Sequence, residues 1–253
     1  MEKEKSGNGI VIVLVLLVIV LSVLCVLFAT KTITLNTKEE TKQDEKKEEK
    51  ETKVDNEKIY EAVIKDYKDA LTKGSVADDP DTGYQYANGY AIFNYYYNEN
   101  NKPTMQYAFY DINKDGNDEM IITSNGNIID IYGHNDNNIL LIMKDNRGCL
   151  GERCQIDNIY DNGLIEFSGS GGATVHGIDF YTINSNNVLE TINSYVIIYN
   201  DENSYTIYDG KTYDYSTGTG TKAKYTTTEE LIADNVKDAK QIDLTKLDWK
   251  SFN

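Results

Sequence analysis

The chain is short of basic charge, of histidine and of cysteine. Its 25 Lys and Arg face 41 Asp and Glu, for a formal net charge of −16 over 253 residues. No basic patch with interleaved aromatics occurs, and so acidic a surface repels phosphate backbones and anionic membranes. Nucleic acid is therefore set aside as a partner. The 2 histidines, His134 and His176, lack metal-ligand spacing, and 3 cysteines do not complete a zinc site around them. The nucleophile elbow of serine hydrolases is missing as well. Gly169-Ser170-Gly171-Gly172 has the wrong spacing, and a strand pattern rather than a helix follows it. The same run has no Lys-Ser/Thr after it and so cannot act as a phosphate loop. The chain is rich in acids, yet no particular pair of carboxylates stands out.

Charge is also absent from residues 10–29, an apolar run. At about 1.5 Å per residue such a helix spans a hydrocarbon core of ~30 Å. The apolar region of a cleaved signal is shorter and ends in a small-x-small site, which is poor here. Residues 10–30 are therefore read as a retained single-pass anchor. Cys25 leaves lipidation open, although Leu24 occupies the place of the small residue that a lipoprotein signal needs. Residues 1–9 form a short head. Residues 31–54 alternate Lys and Glu with almost nothing apolar, which is the composition of a solvated tether. Lys and Arg are about evenly placed on the two sides of the anchor, so the positive-inside rule barely orients it.

Residues 55–253 hold the foldable part, and the expected class is α+β. Ile59, Val63, Tyr67 and Ala70 recur at helical spacing, and Gly74 supplies a stop. A second, tyrosine-rich helix is expected over 84–97. Its stripe of Ala87, Tyr90, Ala91, Asn94 and Tyr95 suits a core or interface, or else a platform on which sugars stack. From residue 107 the pattern changes to short β segments, the last at 212–215. Asp161-Asn162-Gly163 and Asp209-Gly210 mark tight hairpin turns. Short connections favour antiparallel neighbours, so an antiparallel β-meander, propeller-like or barrel-like, is expected. Thr227-Thr228-Glu229-Glu230 opens a short C-terminal helix. Residues 241–252, with the single Trp, close the core.

One stretch carries specific chemistry. Asp111, Asn113 and Asp115 alternate, Gly116 permits a sharp bend, Asn117 offers its backbone carbonyl, and Glu119 stands at position nine just before Met120-Ile121-Ile122. Calcium takes six to eight such oxygens. The loop is not an EF-hand: position twelve is Ile122, position eight is Asp118, and both flanks read as strands. Asx-rich turns also form unaided, so a loop that binds no ion remains the alternative. Millimolar calcium is found outside the cell, which places residues 55–253 there. Cys149 and Cys154, separated by Leu-Gly-Glu-Arg, suit a disulfide in that compartment, with free thiols as the alternative.

The 111–119 stretch resembles the calcium loops of FG-GAP repeats, with Glu119 where those have Asp. With one such loop, a many-bladed propeller is not expected. The whole order of anchor, charged tether, Tyr-rich helices, Tyr107 to Ile122, the Ser168–Gly172 run and the closing Ile242-Asp243-Leu244 resembles a poorly characterised group of membrane-anchored surface proteins and lipoproteins of Gram-positive bacteria. That resemblance implies location and fold more than activity; the expected function is a surface binding or interaction domain with one structural calcium ion. Its partners would be the membrane, through the N-terminal helix, and an envelope glycan or protein. The alternative is a cell-envelope glycan-acting hydrolase that uses surface carboxylates.

Overall fold

The computed structural model describes residues 55–73, 84–98, 100–135, 138–147, 149–201 and 204–252. The head, anchor and tether expected over 1–54 lie outside them. Among the described residues no helix is long and apolar enough to cross a membrane.

The first helical stretch is divided in two. Helix α1 (Asn56–Ile59) is capped by the Asp55 carboxylate, which accepts the Lys58 N–H at 3.3 Å. Helix α2 (Glu61–Lys73) buries Val63, Ile64, Tyr67, Ala70 and Leu71, the i, i+3, i+4 stripe of an amphipathic helix. Helix α3 (Gly89–Tyr97) starts later than the expected residue 84. The reason is local. Asp66 Oδ2 accepts the N–H groups of Tyr86 (2.6 Å) and Ala87 (2.9 Å), which fixes that backbone outside a helix. Asn88 then caps α3, its side chain accepting the Ala91 N–H at 3.2 Å.

The strands are β1 (Met105–Tyr110), β2 (Glu119–Ser124), β3 (Asn127–Asn135), β4 (Asn138–Leu141), β5 (Cys154–Ile159), β6 (Ile165–Ser170), β7 (Val175–Ile183), β8 (Leu189–Asp201), β9 (Ser204–Asp209) and β10 (Lys250–Ser251). Helix α4 (Thr228–Val236) comes between β9 and β10. All pairings are antiparallel, as the short connections require. They form two five-stranded sheets, one in the order β10-β1-β2-β3-β4 and the other β5-β6-β7-β8-β9. The α+β class holds. The barrel-like closure does not, because each sheet stays open. After β4 the chain turns away through a 3₁₀ turn at Lys144–Asn146 and starts a new sheet instead of extending the first. Nor is 212–215 a strand. Asp214 accepts the Ser216 N–H (2.8 Å) and hydroxyl (2.7 Å), so its side chain closes a turn.

Three apolar clusters stack the layers. Helices α2 and α3 pack on one face of sheet one through Tyr67, Ile92, Met120, Ile122 and Phe252. The other face of sheet one meets sheet two through Ile112, Ile121, Ile131, Ile165 and Phe167. Helix α4 covers part of the outer face of sheet two through Leu231, over Phe180, Ile197 and Ile207. Alternation along β2 sends Met120 and Ile122 one way and Ile121 the other. Both faces of the strand are therefore buried, which is why it reads as an unbroken apolar run.

Candidate metal site and an open groove

The 111–119 loop joins β1 to β2, with Glu119 opening β2. Its side chains fold inward onto its own backbone. Asp111 accepts the N–H groups of Asp115 (3.2 Å) and Gly116 (3.1 Å), and Asn113 Oδ1 accepts the Asp115 N–H at 2.9 Å. Asp115 Oδ1 accepts from the Asn117 backbone (2.8 Å) and side chain (3.1 Å). Such closure needs left-handed backbone at Lys114 (φ 62°) and Gly116 (φ 92°), and glycine meets the second requirement without strain.

Glu119 differs from the other predicted ligands because it is buried, at 1 % exposure. Its Oε2 accepts the Ile112 N–H at 2.8 Å. Burial pushes its carboxyl up to about 7, against the Ile112 N–H, and the charges of Asp115 and Asp111 add to the rise. The loop thus carries three carboxylates in a short stretch, Asp111 and Asp115 turned onto backbone N–H groups and Glu119 out of water. Among the described residues, no three His, Cys, Asp or Glu side chains meet as a ready-made metal cluster. The donor set at the loop is a mixed one, of carboxylate, amide and backbone oxygens. Hard oxygens of this kind fit a calcium-type cation, which would favour the ionised form of the buried Glu119.

The loop is also held from three sides. Asn56 Nδ2 donates to the Asp118 carboxylate at 2.5 Å, and the Tyr60 hydroxyl donates to the Asp118 carbonyl at 2.9 Å. Ile112 is fully buried between the two sheets. The turn between β5 and β6 presses on it so closely that a Cβ at Gly163 would lie 2.9 Å from the Ile112 carbonyl. Helix layer, sheet one and sheet two all touch this loop.

A second polar cluster escaped the sequence reading. A bulge between β2 and β3 lets Asp130 face the helices. Asp130 is fully buried. Arg147 Nη2 donates to its carboxylate at 2.9 Å, the Tyr67 hydroxyl donates to the same oxygen, and Asn88 Nδ2 approaches at 3.4 Å. Arg147 and Tyr132 both donate to the Tyr86 carbonyl. Burial raises the Asp130 carboxyl above its ordinary range, and Arg147 opposes the rise. The signal in the chain is an acid within Ile128-Ile129-Asp130-Ile131-Tyr132: a charge inside an apolar strand needs a buried partner.

A disulfide joins Cys149 and Cys154, with Cα atoms 5.1 Å apart. Its ring separates two hollows. One, of about 510 Å³, lies on sheet two and is walled by Gln155, Asp157, Ser168, His176 and Tyr199. The other, of about 340 Å³, lies toward α3 and is walled by Tyr90, Asn94 and Asn125. Asn127, Gly151 and Glu152 line both, so the two adjoin across this shared wall, and together they are called the groove. His176 faces this groove, whereas His134 sits on sheet one with its ring edge-on to Tyr60; the histidines are not brought together.

Compared with known proteins, the chain matches no family model, no curated protein and no solved structure. The functional reading therefore rests on these residues alone.

Proposed function

We propose that the protein is a membrane-anchored binding module whose domain faces the outside of the cell and holds one structural calcium ion in its 111–119 loop. The observation that supports the ion is Glu119. A carboxylate taken out of water beside Asp111 and Asp115 is costly unless a cation balances it. Asp111, Asn113, Asp115, the Asn117 carbonyl and Glu119 would hold the ion. Bound there, calcium supplies positive charge at the meeting point of the helix layer and both sheets. Asn56 and Tyr60 orient the loop through Asp118, and Ile112 ties it to the inter-sheet core. The anchor reading rests on residues 10–30, and the outward placement follows from the compartment in which calcium is plentiful.

The test is a thermal melt of the full-length chain in detergent micelles, with millimolar calcium and with EDTA. A hundredfold excess of calcium over Kd stabilises by about 2.7 kcal/mol, a rise of roughly 5–10 °C in Tm for a domain of this size. Asp115→Ala should abolish the rise, and equal melting temperatures with and without calcium would refute the site. Retention of the chain in carbonate-washed membranes tests the anchor.

The second reading is a glycan-acting hydrolase. Asp157 and Glu166 line the same hollow and so offer two carboxylates to a single ligand. Against it, Glu166 is 4 % exposed, and its Oε2 is occupied by Tyr160 (2.6 Å) and Asn158 (2.7 Å). Release of reducing ends from envelope glycan, lost in Glu166→Gln, would favour the enzyme.

A further inference from the structure

We propose that the groove across the outer face of sheet two, past the disulfide ring to α3, binds a neutral glycan chain; the proposal rests on the binding-module reading and names its ligand class. Strand register carries the first step. Cross-strand partners share a face. Gln155 pairs with Ser168, Ser168 with Ile178, Ser170 with His176, and His176 with Ile197. Two residues further along β8 the same face carries Tyr199. These side chains therefore belong to the face whose other part lies under α4. Helix α4 is 9 residues long and leaves this part of the face open.

The lining has the two characters that a sugar ring requires. Ile178, Ile197 and Ile232 give an apolar floor, suited to the C–H face of a ring, and the hydroxyl and amide groups above them suit its rim of hydroxyls. An exposed aromatic stands toward each end. Tyr199 is 39 % exposed and packs edge-on to His176 at 5.1 Å, and Tyr90 is 37 % exposed on α3. Flat rings held in place by neighbours are platforms for stacking that cost little conformational entropy.

Charge chooses among polar ligands. The walls carry Glu152, Asp157 and Glu166 against the single cation Arg153. With a chain charge of −16, a phosphate or uronate polymer meets repulsion over the whole approach. Length follows from the shared wall. Each hollow alone falls within the ~300–1,000 Å³ range of a small-ligand site, and they adjoin across Asn127 and Glu152, so that an extended ligand can cross from one to the other. Asn94 Nδ2 donates to Glu152 at 3.3 Å, which fixes that wall between the two ends. A chain of several sugars fits such a groove better than one ring.

The experiment is calorimetric titration of the full-length chain, in a zwitterionic detergent that carries no sugar headgroup. The probes are hexasaccharides of β-1,4-linked N-acetylglucosamine, β-1,4-linked glucose and α-1,4-linked glucose, with the hexamer of galacturonate as the anionic control. At least one neutral hexamer should bind, and the galacturonate hexamer should not. Tyr199→Ala removes a stacking ring, and Asn127→Trp fills the junction of the two hollows at an exposed position. Each should weaken binding about tenfold or more, one stacking contact's worth, without changing the melting temperature. Should one variant fail to fold, the other still decides. No binding of any neutral hexamer at millimolar concentration overturns the proposal, as does binding that both variants leave intact or galacturonate binding of equal strength. Calcium melts on the same samples separate the two readings. A calcium-stabilised chain that binds no hexamer refutes the groove alone, and hexamer binding without a calcium shift refutes the ion alone.

Discussion

The two sheets have the same design and different surroundings. Each is a five-stranded antiparallel meander built mostly from neighbours in sequence. Sheet one has helices on one face and sheet two on the other, so its central strand β2 is buried at every position from Glu119 to Thr123. Sheet two has sheet one behind it and only the short α4 in front. Its strands accordingly mix buried and half-buried positions, as in β7. The contrast separates two roles. Sheet one contains the buried carboxylates whose partners reach across layers, Glu119 and Asp130, whereas the buried Glu166 of sheet two is bonded by Asn158 and Tyr160 next to it in the same layer. Sheet two presents side chains outward, and substitutions there should alter binding before they alter stability.

Arg147 tests that contrast with the largest expected effect. Arg147→Met leaves the Asp130 carboxylate buried without its cation, a loss of about 3–5 kcal/mol that urea unfolding of the full-length chain would measure. The exposed Arg153, beside sheet two, should change stability by less than ~0.5 kcal/mol when replaced by Met. Asp130→Asn combined with Arg147→Met should cost less than the sum of the single changes, because the pair is removed together. Equal effects at Arg147 and Arg153 would erase the distinction between the sheets.

Much of sheet one was legible because its signals are local. Met120-Ile121-Ile122 marks a strand buried on both faces, and the alternation of Asp111, Asn113 and Asp115 marks the loop before it. Asp161-Asn162-Gly163 marks a hairpin for a similar reason: Gly163 sits at φ 82°, against a neighbouring carbonyl. What stayed hidden depends on distance along the chain. Arg147 lies 17 residues from Asp130, and Tyr67 lies 63 residues from it, so no spacing rule connects them. The groove is assembled from α3, β3, the disulfide ring and sheet two, elements far apart along the chain. The division into two sheets is hidden too, because a meander reads the same whether or not its middle connection breaks. Residues 84–88 show a nearby override: helix-compatible residues lose their backbone N–H groups to Asp66.

The disulfide comes next in size. Cys149 and Cys154 close a small ring on the connection that carries the chain from sheet one to sheet two. A six-residue ring removes little chain entropy, so Cys149→Ser with Cys154→Ser should cost on the order of 2–3 kcal/mol at most. Urea midpoints with and without reductant measure it, and the double variant should no longer respond to reductant. Because the ring walls the groove, glycan affinity should fall further than stability does. An unchanged affinity would detach the ring from the binding surface.

Helix α4, the partial cover of sheet two, should give the smallest effects. Thr227 caps it, accepting the Glu230 N–H at 3.2 Å, and Glu230 reaches back to the Thr226 N–H (3.0 Å) and hydroxyl (2.9 Å). Thr227→Ala should cost ~1 kcal/mol at any pH. The Glu230 contribution should instead depend on pH. The Thr226 N–H, and then its hydroxyl, hold the Glu230 carboxyl below the usual carboxylate range. A folded pKa below the unfolded one means that the stabilisation is present above the unfolded value of ~4.3 and is lost as pH falls through the folded one. Glu230→Gln should therefore melt slightly below the parent at pH 7 and draw level with it as pH falls below the folded value. A gap that persists at low pH would mean that the residue acts through packing instead of charge, and α4 would then belong with the buried layers rather than with the open face.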